Sequence, residues 1–250
     1  RIRGFQGSRI RVQCFLTIFF NHVEGHMTPQ SYLTRAQQEA LLESIEKLCS
    51  VFWGPSLEKC GDMLSDDYFL SFGVLEGLLI YDPPHALETL IKTVSGFSDA
   101  VSLYDFLEAS YVRLFVNTKE GIPAPLYHSC YQDTDRTDST RPGLMGEPAG
   151  IMRRRFQSKD LSLDNSINEP PDHLSIELEY LYFLLQRGVM KQDNGAVDEA
   201  VSFAGTFMLP WVSLLRDRLT GGSRCPFYPN AAAILSAHLH LVSLLKKTGR

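Results

Sequence analysis

Pro170 and Pro171 cannot continue a helix, and the residues that follow them read as a helix with almost no polar face. Leu174, Leu178, Leu181 and Leu185 recur at steps of four, three and four, while Tyr180, Tyr182, Phe183 and Leu184 fill the other directions. A helix apolar nearly all round has to be enclosed by other elements, so the spacing places this stretch at the centre of the fold. Asp172, just after the prolines, stands where a capping side chain belongs.

The elements that enclose it also read as helices. Thr34 can cap a helix over 34–53, in which Leu41, Leu42, Ile45, Leu48, Val51 and Phe52 recur at three- and four-residue spacing. Further helical patterns cover 57–70 and 84–94, the second with Pro84 in its first turn. Ser98 is placed to cap the next, whose apolar set includes Val101, Tyr104, Leu107, Tyr111, Leu114 and Phe115. Gly121, Pro123 and Pro125 then predict an ordered loop, and a short helix is expected at 151–159. A helix over 196–218 should kink at Pro210, and the last helix is expected at 230–247. No stretch alternates with period two, so the chain is predicted to be all-α, a single helical bundle. Its two layers, 27–132 and 151–250, are joined by a hinge at 133–150 rich in Asp, Thr, Ser, Pro and Gly.

The first 26 residues differ from the rest. Arg1, Arg3, Arg9 and Arg11 precede a seven-residue apolar run, Cys14 to Phe20, too short to span a bilayer. The stretch 1–26 reads as a leader or an added extension, with the folded domain over 27–250 beginning at Met27. The net charge of −5 is unlike that of a general nucleic-acid binder, and removing the basic leader leaves a still more acidic body. Five scattered cysteines, Cys14, Cys49, Cys60, Cys130 and Cys225, form neither a zinc pattern nor an even disulfide framework, as expected of reduced thiols.

Catalytic signatures are missing. There is no nucleophile elbow, no phosphate-cradling glycine loop and no H-E-x-x-H pair. Cys130 lies two residues from His128 on an irregular loop, a spacing that seldom pairs a thiol with a base. His238 and His240 point about 200° apart on a helix, so separate roles are expected. Arg153, Arg154 and Arg155 form either a solvated face or a partner for the acidic stretch 160–169. The expectation is a protein that is not an enzyme and carries no cofactor or metal.

Two segments carry a resemblance. The first is Tyr111-Val112-Arg113-Leu114-Phe115, followed by Gly121, Pro123, Pro125 and the Y-x-S-x-Y element from Tyr127 to Tyr131. The second is Glu169-Pro170-Pro171-Asp172-His173, followed by Glu177-Leu178-Glu179-Tyr180. Met145-Gly146-Glu147-Pro148, Arg154-Arg155-Phe156 and the later Trp211 fit the same order, although no histidine stands shortly before that tryptophan. Together they resemble the TorD/DmsD family of redox-enzyme maturation chaperones, related to the NarJ group.

The resemblance implies an all-α cytoplasmic chaperone that binds the twin-arginine signal peptide of a molybdenum-containing oxidoreductase precursor. It would hold the precursor until cofactor insertion, before export through the Tat translocon, whose components are further partners it implies. It places the peptide contacts at Asp172 and His173. Glu169 and Glu177 could supply further charge, and Tyr127, Tyr131 and Leu126 an apolar lining. The residues also admit a structural role, with Asp172 as a helix cap, His173 on a buried carbonyl and both tyrosines as core anchors. Two other functions stay open, a NarJ-like scaffold for a folded client subunit and a guanine-nucleotide-linked switch. No nucleic-acid partner and no stable membrane insertion are expected, and a hinged bundle could be a monomer or a domain-swapped dimer.

Overall fold

The computed structural model describes residues 2–3, 33–116, 121–132, 144–164, 167–222 and 225–245. Most of the leader at 1–26 and the hinge at 133–143 therefore lie outside the described residues. Ile2–Arg3 (β1) forms a two-residue antiparallel ladder with Ser162–Leu163 (β2). Everything else regular among the described residues is helical.

Arg35–Phe52 (α1) begins in a capping box, in which Thr34 accepts from the Gln37 amide and Gln37 returns a bond to the Thr34 amide. It ends at Trp53 because Gly54 turns away with φ of 91°, and the Tyr111 ring lies so close that a Cβ there would come within 3.2 Å of it. Leu57–Met63 (α2) is shorter than expected. The Ser65 hydroxyl bonds back to the Asp62 carbonyl at 2.6 Å, and the stretch splits into α2 and Leu70–Leu75 (α3). Pro84 lies in a turn before Ala86–Ser95 (α4), which starts after His85 rather than on the proline. Ala100–Tyr111 (α5) is capped by Asp99, not Ser98. The Asp99 carboxylate takes the Ser102 amide at 2.9 Å, and Ser98 bonds only to Asp99.

Glu147–Ser158 (α6) starts four residues earlier than expected because Pro148 sits in its first turn, where a missing amide proton is harmless. Leu174–Leu185 (α7) is the predicted apolar helix. Asn194–Ser202 (α8) and Leu209–Gly222 (α9) flank a π-helical stretch, Phe203–Met208. Pro210 explains it, since the proline has no amide to give the carbonyl one turn back, and the chain widens there into π geometry. Phe227–Ser243 (α10) begins three residues before the expected start, with Pro229 tolerated in its first turn.

α7 is enclosed as its sequence demands, with Leu174, Ile176, Leu178, Tyr180, Leu181 and Leu184 fully buried. At about 1.5–3 kcal/mol for each large apolar side chain removed from water, this helix is a main contributor to stability. It packs on α1 and α8, while α1 also packs on α3, and α10 packs on α4, α9 and α1. Both halves of the chain thus share one continuous core. His238 of α10 is sealed inside it, its Nδ1 2.8 Å from the Ile234 carbonyl and its Nε2 3.0 Å from Ser44 Oγ of α1, while His240 is exposed.

Candidate functional site

The start of α7 is held by a seam. Leu126 and Asp172 accept backbone amides from Leu174 (2.8 Å) and His128 (3.0 Å), so the segment ahead of the 3-10 turn His128–Tyr131 runs antiparallel to the helix start. Tyr127 and His173 form the bridge between them.

The prolines aim the next two side chains in different directions from those expected. His173, not Asp172, caps α7, its Nδ1 accepting the Ser175 amide at 3.2 Å. Asp172 turns inward and is wholly buried. Its Oδ2 accepts from the Ser129 amide at 2.9 Å and the Ser129 hydroxyl at 2.5 Å, and that hydroxyl accepts the Gly146 amide at 3.0 Å. One serine therefore ties the segment leading into α7, the 3-10 turn and the residue that precedes α6. Asp172 Oδ1 has no hydrogen-bond partner among the described residues.

Glu177 is also wholly buried, one oxygen 3.1 Å from His128 Nδ1 and the other accepting Trp211 Nε1 at 3.0 Å. Burial raises the Glu177 carboxyl well above the usual range despite the Trp211 bond, and burial lowers His128 to about 4 against the opposing pull of Asp172. Both shifts favour the neutral forms, in which the contact is a carboxylic acid donating to an imidazole rather than an ion pair. With Nδ1 so engaged, His128 is no base for Cys130, whose thiol burial raises further above neutrality.

Leu126 is buried, and Tyr131 lies under the Arg218 guanidinium, 4.2 Å from its ring centre, and beside Trp211. Leu126, Tyr131, Asp172, His173 and Glu177 are thus all interior. Tyr127 and Glu169 are half-buried, and the Tyr127 hydroxyl donates to Glu169 at 2.7 Å.

Sequence reasoning missed two residues that complete this edge. Trp53 stacks on His173, ring centres 4.9 Å apart, and its Nε1 donates to Glu179 at 3.2 Å, while Tyr127 meets His173 edge-on at 5.3 Å. The result is a strip in which the half-buried Trp53 and Tyr127 flank the buried His173, with a carboxylate at each end, Glu179 and Glu169. Trp53 is 126 residues from Glu179, so no local pattern joins them; the only hint was a tryptophan closing a strongly patterned helix. Glu169, Pro170 and Pro171 also line a cleft of about 570 Å³ with Phe156, Leu161 and Ile167.

Arg155 does pair internally, but with Glu199 at 2.9 Å rather than with the acidic stretch 160–169. Lys159 at 2.8 Å and the Tyr180 hydroxyl at 2.5 Å share that carboxylate. Among the described residues no cluster of three or more His, Cys, Asp or Glu side chains could hold a metal ion. No described helix is long and apolar enough to cross a membrane.

A chaperone TorD of Vibrio vulnificus (strain YJ016) is 29% identical over 168 residues, covering 62% of this chain and 74% of that protein. A selenate reductase assembly chaperone of Thauera selenatis is 27% identical over 176 residues, covering 68% and 87%. A crystal structure described as a redox enzyme maturation protein of Archaeoglobus fulgidus superposes with a TM-score of 0.46 at 18% identity, over 84% of this chain and 96% of that one. The sequence profile for the nitrate reductase delta subunit matches residues 84–217, which include the 3-10 turn, the Glu169-to-His173 segment and all of α7. The chain belongs to the nitrate reductase delta subunit family, the NarJ/TorD group.

Proposed function

We propose that this protein is a cytoplasmic assembly chaperone, not an enzyme, that binds the twin-arginine signal peptide of a molybdenum-containing oxidoreductase precursor and holds it for cofactor insertion before Tat export. The names of its relatives, chaperone TorD and selenate reductase assembly chaperone, support the chaperone role. The observation that carries the peptide reading is the aromatic strip bracketed by Glu169 and Glu179.

Two arginines need two carboxylates and flat aromatic faces on which a guanidinium can stack, and the strip offers both. The apolar half of such a peptide finds Pro170, Pro171 and Phe156 in the adjoining cleft. Glu169 and Tyr127 meet the peptide directly, with Trp53 and Glu179. His173 holds the two aromatic rings in line. Asp172, Glu177, Leu126 and Tyr131 act beneath, fixing the seam on which the strip rests.

Calorimetric titration with twin-arginine peptides tests this. Glu169→Gln and Glu179→Gln are each expected to weaken binding about tenfold, as does replacing both arginines of the peptide with lysine, with helicity and melting unchanged. Undiminished binding by both variants would remove the strip from the reading. Binding to a signal-deleted client with no binding to the isolated peptide would favour a scaffold for the folded subunit instead.

A further inference from the structure

Helix α3 carries an apolar face that no described residue covers. Ser71, Phe72 and Leu75 are buried, and α3 packs on α1. On the other side Leu70, Val74 and Leu78 follow at four-residue steps, 63%, 49% and 38% exposed, the last on the 3-10 turn Glu76–Leu78. Gly73 and Gly77 lie between them, also exposed, and a Cβ on either would touch nothing within 4 Å. No packing among the described residues calls for these glycines. They make a shallow groove between apolar ridges, into which another helix backbone can settle closely.

The rim decides what fits. Between Lys59 and Lys92 the chain has six carboxylates and no lysine or arginine. Asp82 is taken by Arg216 and Glu88 by His85, whereas Asp66, Asp67 and Glu76, all exposed, form no ion pair among the described residues. A second copy of this face would set carboxylates against carboxylates, and an anionic bilayer would be repelled for the same reason. A helix with an apolar face and lysine or arginine along its edge satisfies both the groove and the rim.

We infer that the outer face of α3, Leu70 to Leu78 with its acidic rim, is a docking site for a basic-edged amphipathic helix of a protein partner. It is separate from the Glu169–Glu179 strip, since α1 packs between α3 and α7.

The test uses the full chain and a fluorescent synthetic peptide with a leucine/alanine face edged by lysine, compared with the same peptide edged by glutamate. Three variant pairs are made, Leu70→Ser/Val74→Ser, Asp66→Asn/Asp67→Asn, and Gly73→Gln/Gly77→Gln. Each is expected to weaken the lysine-edged peptide at least about tenfold, and the glutamate-edged peptide should not bind. Glutamine is a better helix former than glycine, so the third pair should melt no lower than the parent while the groove is filled. Glu169→Gln and Glu179→Gln should leave this affinity unchanged, which separates failure here from failure of the signal-peptide reading. Equal binding of both peptides, or binding indifferent to all three pairs, overturns the proposal. So does a concentration-dependent dimer abolished by Leu70→Ser/Val74→Ser, which would give the face to a second copy.

Discussion

Two buried histidines and the largely buried His128 make the fold sensitive to mild acid, and the size of the effect follows from where they sit. His128, His173 and His238 are each lowered to about 4 by burial, against about 6.5 for a free imidazole. Between those values the unfolded chain binds protons the folded chain refuses, so stability is full above pH 6.5 and falls as pH drops toward 4. Each proton taken up on unfolding changes stability by about 1.4 kcal/mol per pH unit. Two carboxyls oppose the trend. Glu177 and Glu46 are raised by burial, keep a proton the unfolded chain has released, and withdraw at most one proton each. One to three protons remain, so between pH 6 and 5 unfolding should become easier by about 1.4–4 kcal/mol, a large part of the ~5–15 kcal/mol typical of a domain. Urea unfolding followed by helical circular dichroism at pH 7, 6 and 5, at constant ionic strength, measures it. His238→Phe should flatten the slope by about one proton, roughly 1.4 kcal/mol per pH unit, because that ring is enclosed between Ile234 and Ser44. A stability that stays level or rises from pH 7 to 5 would refute the reasoning.

Other perturbations separate the parts of the seam, with stability read by urea unfolding at pH 7. Glu177→Gln should stay within about 1 kcal/mol of the parent, since an amide can donate to His128 and accept from Trp211 as the protonated acid does, whereas Glu177→Ala should lose about 2–4 kcal/mol. If Gln proved as damaging as Ala, the neutral-pair assignment would fail. Ser129→Ala withdraws a hydroxyl from the buried Asp172 carboxylate and should lower stability by about 1.5–3 kcal/mol. Gly54→Ala, forced to a φ of 91° against the Tyr111 ring, should lose about 1–3 kcal/mol, and an unchanged midpoint would show that the turn relaxes freely.

The helices were legible where periodicity and burial agree. α1 and α7 stand close to where their leucines place them, and Thr34 caps as its spelling suggests. Boundaries slipped where a proline or a serine decides by local hydrogen bonding. Pro148 and Pro229 are accepted inside first turns, Ser65 closes α2, and Pro210 goes with a π-helical widening of the helix before it. The site was legible only as a segment. The resemblance points to Glu169 through His173, yet which side chain of an Asp-His pair turns inward depends on Ser129 and Trp53, residues remote in sequence. Asp172 reads as a cap until a buried serine is found to claim it.

The bond between Trp53 and Glu179 spans 126 residues, and that between Ser44 and His238 spans 194. On a ribosome adding about 5–20 residues per second, α1 waits some 6–25 s after its own synthesis before α7 exists to cover it, and longer for α10. Through that interval the part of the α1 face that α7 will cover is bare in a crowded setting. A protein whose proposed task is to shelter an unfinished client is, by the topology of its own core, such a client first.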